Sequence, residues 1–405
     1  MKRLLPLFFL LGILSSGCKP EPPAPPETPA PEPPVTVSKS NDTKLYMHYM
    51  PWFHSKDFSG YWGYHWTMNS QNPDFVDTDG KRQIAAHYYP LVGPYDSSDP
   101  DLVDYHLLLM KYSGIDGVLI DWYGSHDVND YEPNRKNANA LINRLRQTGL
   151  KFAIVYEEFT AENVANANGI SAIDAARADI DYLERNYTGT NEYIEVNNEP
   201  LLLTFGPRYF NSSSEWDQIL SAHRDPIQFM PLWNFSNKVG FPNADGEFAW
   251  VDFNTDLSEM EAFYEDPDHG VTIGSAYPGF HDFYQEAGVG SSFGFVPHGN
   301  GQTLDNTLQK AAEYDLDIIQ LVTWNDFGEG TIFEPTEEFG FQYLEKLQQF
   351  SGVSYDIDVL EIIYQYYLKR KEYAGNASVQ ETLDEAFDAL NDLDVEAADS
   401  LISTL

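Results

Sequence analysis

Asp326 and Glu329 stand three residues apart on a glycine-hinged loop, directly after an apolar run that ends in Trp324. Two carboxylates beside an aromatic ring are the least equipment for acid–base work on a glycosidic bond. One protonates the leaving oxygen, and the other acts as base or nucleophile. Burial near a like charge raises one pKa and leaves the other group ionised, which separates the two roles. Other strand-like runs end in similar groups. The first carries Tyr49 and Trp52, and the second ends in Asp121-Trp122-Tyr123. The third ends in Tyr156-Glu157-Glu158 and the fifth in Trp233. The sixth holds Trp250 and Asp252, the seventh ends in Tyr277, and the eighth runs into Trp324-Asn325-Asp326. Indole faces stack on the C–H faces of pyranose rings, and carboxylates and amides hydrogen-bond hydroxyls, so these residues read as one rim.

A rim needs a scaffold. Strand-like runs occur at Leu45–Phe53, Gly117–Tyr123, Phe152–Glu157, Leu201–Phe205, Ile227–Trp233, Phe248–Phe253, Val271–Tyr277 and Ile318–Trp324. Helix-period segments lie between most of them, as at Asp101–Tyr112, Asn137–Gln147, Ala172–Arg185 and Leu304–Tyr314. Strands alternating with helices argue for parallel βαβ units. Eight of them predict a (β/α)8 TIM barrel over residues 41–350, whose chemistry sits at the carboxyl ends of the strands. A doubly wound open sheet is the competing fold, weakened because no Gly-x-Gly-x-x-Gly follows the first strand. The first connection, residues 54–100, is long enough to be a cleft wall; it holds His65 and Trp66. Residues 351–405 predict a C-terminal helical segment, with a basic end at Lys369-Arg370-Lys371 and an amphipathic stretch at 378–403.

The chain opens Met1-Lys2-Arg3, followed by an apolar stretch from Leu4 to Leu14 that is short for a membrane span, and then Ser15-Ser16-Gly17-Cys18. Residues 1–17 resemble a lipoprotein signal peptide, with Cys18 as the lipidated residue, and residues 18–40 a Pro-rich linker. The expectation is an exported, membrane-anchored lipoprotein, held to a periplasmic or cell-surface membrane by that anchor alone and otherwise a monomer. Cys18 is the only cysteine, so no intramolecular disulfide is expected.

Lys and Arg total 24 against 63 Asp and Glu, a net charge of -39 at pH 7. Such a surface repels nucleic acid and anionic membrane. The ten histidines show no metal-binding spacing. There is no Gly-x-Ser-x-Gly nucleophile elbow and no free thiol for cysteine catalysis. Neither metal nor cofactor is called for.

The run Trp324-Asn325-Asp326-Phe327-Gly328-Glu329-Gly330-Thr331, with Phe333-Glu334-Pro335 after it, resembles the signature of glycoside hydrolase family 99, the endo-α-mannosidases and endo-α-mannanases. The likeness extends to His48-Tyr49-Met50-Pro51-Trp52-Phe53, Trp62-Gly63-Tyr64-His65-Trp66 and Tyr88–Tyr95. It also takes in Gly114–Trp122 and Val155-Tyr156-Glu157, and so spans roughly residues 45–345. Where family 99 has the first glutamate of its pair, this chain has Asp326. In that respect Trp324–Glu329 is similar to family 71, the α-1,3-glucanases. Family 99 implies retention through a 1,2-anhydro sugar, and family 71 implies inversion with an activated water. Either resemblance implies Glu329 as general acid and Asp326 as general base, Glu157 hydrogen-bonded to substrate, and Trp122 stacked beyond the cleaved bond. A barrel that binds a surface glycan without cleaving it is the alternative expectation.

Overall fold

The structure is a computed structural model that describes residues 34–240, 243–266 and 270–405. The signal-like segment, Cys18 and most of the linker lie outside the described residues.

Among the described residues eight parallel strands form the central sheet. They are β1 (Lys44–Tyr49), β2 (Gly117–Trp122), β3 (Lys151–Tyr156), β4 (Glu199–Thr204), β5 (Gln228–Pro231), β6 (Gly246–Phe248), β7 (Val271–Ala276) and β8 (Ile318–Leu321). β2 is buried along its whole length, as expected of a parallel strand covered on both faces. β1 pairs with both β2 and β8, Tyr46 opposite Gly117 and Lys44 opposite Ile318. Pairing then runs β2–β3–β4–β5 on one side and β8–β7–β6 on the other. The two ends meet at one bridge, Leu232 to Phe248, beside the Trp233 N–H that donates to Phe248 O at 2.9 Å. The predicted (β/α)8 barrel is the observed architecture. Its strands are shorter than their apolar runs, because those runs continue into the loops of the upper rim. β6 ends at Phe248, where the sequence pattern has it begin.

The helices include α1 (Pro100–Tyr112), α2 (Tyr131–Leu145), α3 (Ser258–Glu265), α4 (Gln302–Glu313), α5 (Ile357–Glu372) and α6 (Ala377–Asn391). α1 starts cleanly because Asp99 caps the N–H of Asp101 and Pro100 occupies the first turn. The basic end of α5 meets that acidic start. Arg370 Nε reaches Asp101 at 2.8 Å, and Lys371 Nζ reaches Asp101 at 2.9 Å and Asp99 at 2.5 Å. Each helix end thereby receives the charge its dipole favours. The buried Lys111 and Tyr112 of α1 donate to Asn391 O and Leu390 O at the end of α6, at 2.6 and 2.7 Å. The C-terminal helices are thus tied to the outer face of α1, whose inner face packs on the barrel. Among the described residues no helix is long and apolar enough to cross a membrane.

Candidate active site

The chain leaves β8 through a cis Val322–Thr323 bond and folds into a small hairpin, Asn325 opposite Ile332 and Asp326 opposite Thr331. Thr323 Oγ1 donates to Thr331 O at 2.6 Å and accepts the Asp326 N–H at 2.8 Å. Asp326 in turn accepts the Glu329 N–H on Oδ1 at 2.9 Å, so the two acidic residues are joined through the backbone of the turn. Gly330 completes the turn at φ +67°. A Cβ there would sit 2.8 Å from His281 O, so both backbone angle and space demand glycine. The β7 loop grips the same turn, with the His281 and Phe283 N–H groups donating to Glu329 O and Gly328 O.

This hairpin forms one wall of a cavity of about 180 Å³ at the carboxyl ends of the strands. That is below the roughly 300–1,000 Å³ of a drug-sized site and suits one ring at a time. Asp326 and Glu329 face Asp121 and Glu157 across it. Burial pushes all four carboxyls up. Asp326 rises to about 6, restrained by the N–H groups of Glu329 and Gly328. Glu329 rises to about 8, through burial and then the charge of Asp326, restrained by the Tyr284 hydroxyl, which donates to it at 3.1 Å. Glu157 rises to about 7 and Asp121 well above the carboxylate range. The charge of Glu157 is a further cause that pushes Asp121 up, after burial. Arg208 supplies positive charge to this group. Its loop is held by the fully buried Glu158, which accepts the backbone N–H groups of Arg208, Tyr209 and Phe210.

Glu329 is thus pushed up further than Asp326, because it carries the charge of its neighbour on top of its own burial. Such a pair can donate and accept protons on opposite sides of one bond. Trp52 and His65, stacked at 3.9 Å and within 6° of parallel, give the cavity a flat aromatic side.

The profile of glycosyl hydrolase family 99 matches residues 40–226, and that of glycosyl hydrolase family 71 matches residues 163–349. Together they run from before β1 to beyond the Asp326 hairpin. The chain is similar to the glycoside hydrolases of families 71 and 99. A glycoprotein endo-α-1,2-mannosidase of Xenopus laevis is 26% identical over 117 residues, 26% of this chain and 26% of its own length. A glycoprotein endo-α-1,2-mannosidase-like protein of Danio rerio is 22% identical over 278 residues, 62% of this chain and 60% of its own length. The chain thus spans less than two thirds of the length of either relative. Among solved structures, the GH99 endo-α-mannosidase from Bacteroides thetaiotaomicron shares the fold. Its TM-score is 0.59 at 17% identity, covering 80% of this chain and 99% of that one. A glycoside hydrolase-like protein gives 0.55 at 13% identity, covering 80% and 97%.

Of the candidate substrate and catalytic residues read from the sequence, Trp52, His65, Asp121, Glu157, Asp326 and Glu329 line the cavity, and the others lie away from it. Strand side chains alternate between faces. Tyr49 consequently points out of the barrel to His106 Nδ1, at 3.1 Å. Trp122 also turns outward, against Tyr156, Tyr182 and Tyr187, away from the cavity. Trp324 is buried against His106, and Trp66 lies beneath the rim between Phe53 and Phe327, its Nε1 on Tyr95 O at 2.8 Å. Asn325 binds the backbone of Met50 instead of a ligand. Asp252 caps the start of α3 through the Met260 N–H, Tyr277 donates to Asp252 O, and Trp233 packs on Phe263. These residues shape the rim from behind.

Several lining residues carry no motif. Arg208 and Tyr284 reach the cavity from loops whose paths depend on Glu158 and Asp282, and no local pattern marks them. His48 was findable: it is two positions from Met50 and four from Trp52 on one face of the β1 run. Trp250, inside the sixth apolar run, lines the cavity from the rim position read for it.

Proposed function

We propose that the protein is an endo-acting glycoside hydrolase on an α-linked glycan of the mannan or glucan type. Glu329 gives its proton to the glycosidic oxygen as the C–O bond breaks. Asp326 takes a proton from the attacking hydroxyl, which is either the 2-hydroxyl of the same sugar or a water. The observation that carries this reading is the joined pair of carboxyls, Glu329 pushed up further than Asp326, in a sugar-sized cavity with an aromatic side. The names of the curated relatives incline the substrate toward α-mannan. Asp121 and Glu157 receive the hydroxyls of the bound ring.

Product analysis by NMR over a panel of α-mannans and α-glucans, with Asp326→Asn and Glu329→Gln beside the wild type, tests the reading. Cleavage lost in both variants is expected, and full activity in either overturns it. The anomer first formed separates the two routes. The start of the chain supports export and lipid anchoring at Cys18. Fatty-acid labelling of the wild type and not of Cys18→Ala is the expected result.

A further inference from the structure

We infer that His48 presents a bare nitrogen that accepts a sugar hydroxyl, so that the cavity takes a neutral, hydroxyl-rich ring and turns away an anionic one. The inference rests on the glycan reading above.

The tautomer follows from two contacts. Ala249 O can only accept, so the Gln320 atom 3.1 Å from it is the amide nitrogen. Gln320 Oε1 then faces His48 Nδ1 at 3.2 Å. An amide oxygen also only accepts, which puts the ring proton on Nδ1 and leaves Nε2 a lone pair. His48 is 1% exposed, and its Nε2 has no hydrogen-bond partner in the protein. Trp250 holds the ring edge-on at a centroid distance of 5.0 Å, and both residues line the cavity with the carboxyls. A buried acceptor without a donor is costly, and it favours whatever ligand supplies one. Burial also holds His48 down at about 4, so protonation does not fill the gap at neutral pH.

The opposite walls reinforce the same demand. Asp121, Glu157, Asp326 and Glu329 are rich in acceptor oxygens. Hydroxyls satisfy such a surface. A carboxylate or sulfate on the ring brings negative charge and no donor, and meets four acids against the single guanidinium of Arg208, which those acids already engage.

The test is calorimetric binding of α-1,2-mannotriose and α-1,3-glucotriose, and of their C6-oxidised uronate forms. All proteins carry Asp326→Asn to halt turnover, with His48 intact, His48→Leu or His48→Gln. We expect at least one neutral trisaccharide to bind, and its uronate form to bind more weakly by roughly tenfold or more. His48→Leu should weaken the neutral ligand by about tenfold. His48→Gln, whose amide oxygen accepts, should recover most of that loss, a rescue that simple repair of packing does not produce. The inference is overturned if His48→Leu binds as the His48 protein does, if the uronates bind as well as the neutral forms, or if neither neutral trisaccharide binds. Failure of the hydrolase reading is distinct, appearing as binding without product in the wild type.

Discussion

Asn325 grips Met50 with both ends of its amide. Its Oδ1 accepts the Met50 N–H at 2.9 Å, and its Nδ2 donates to Met50 O at 3.0 Å. One side chain thus completes a strand-like pair between the end of β1 and the hairpin that bears Asp326. Behind it the same Nδ2 meets Tyr95 Oη at 3.1 Å, and Tyr95 donates to the buried Glu334 at 2.6 Å.

Asn325→Ala leaves the Met50 N–H and C=O buried without partners. A loss of roughly 1–3 kcal/mol is expected in urea unfolding. Activity should fall further than stability, because the neighbouring Asp326 loses its anchor.

The pH profile of kcat/KM should be bell-shaped. Asp326 must be ionised, so the rate falls as pH drops through about 6. Glu329 must be protonated, so it also falls as pH climbs through about 8. The Tyr284 hydroxyl favours the ionised form of Glu329. Tyr284→Phe should therefore move the alkaline limb upward and leave the acid limb in place, which initial rates across pH will show.

Stability should fall steadily across the range in which activity rises and then falls. The raised carboxyls mean that the folded protein holds protons the unfolded chain has lost. Folding stability then declines as pH rises from the ordinary values of 3.8 and 4.5 through about 6 and about 8, and the penalty is complete above that. Glu329→Gln removes one such charge. Its melting temperature should exceed that of the wild type above pH 8 and show a shallower slope below it.

The tryptophans should divide by face. Trp122→Ala empties a buried site outside the ring of strands and should cost about 3–5 kcal/mol of stability. Trp52→Ala and Trp250→Ala should raise KM with smaller effects on unfolding, because both rings border the cavity. Unfolding curves and KM for the three variants together check the division.

That division marks how far the sequence could be read. The barrel was legible because runs such as Gly117–Trp122 and Lys151–Tyr156 are apolar enough to be covered on both faces. The acid pair was legible because it is local, two residues of one hairpin. Motifs, however, are contiguous and strand faces are not. Asp121 and Trp122 belong to one motif but to opposite sides of the wall, and the same alternation removes Tyr49 from the cavity and admits His48. Arg208 and Tyr284 lie further out of reach. Their positions follow from buried acids that fold the chain by accepting backbone N–H groups: Glu158 from about fifty residues away for Arg208, and Asp282 from Tyr284 itself and from Phe293.

The joint between β5 and β6 gives the barrel the mechanics of a split ring. Every other neighbouring pair of strands shares at least three paired residues, and this one shares a single bridge. A ring under thermal stress parts at its weakest seam, so amide exchange should be fastest there among the barrel strands. The seam parts β5, and with it the neighbouring β4 that leads to Arg208, from β6, which leads to Trp250. Each parting separates those two side chains, while the hairpin of Asp326, clamped to β1 on the far side, stays still. The mouth through which a polymer enters and leaves can breathe while the reacting groups keep their places.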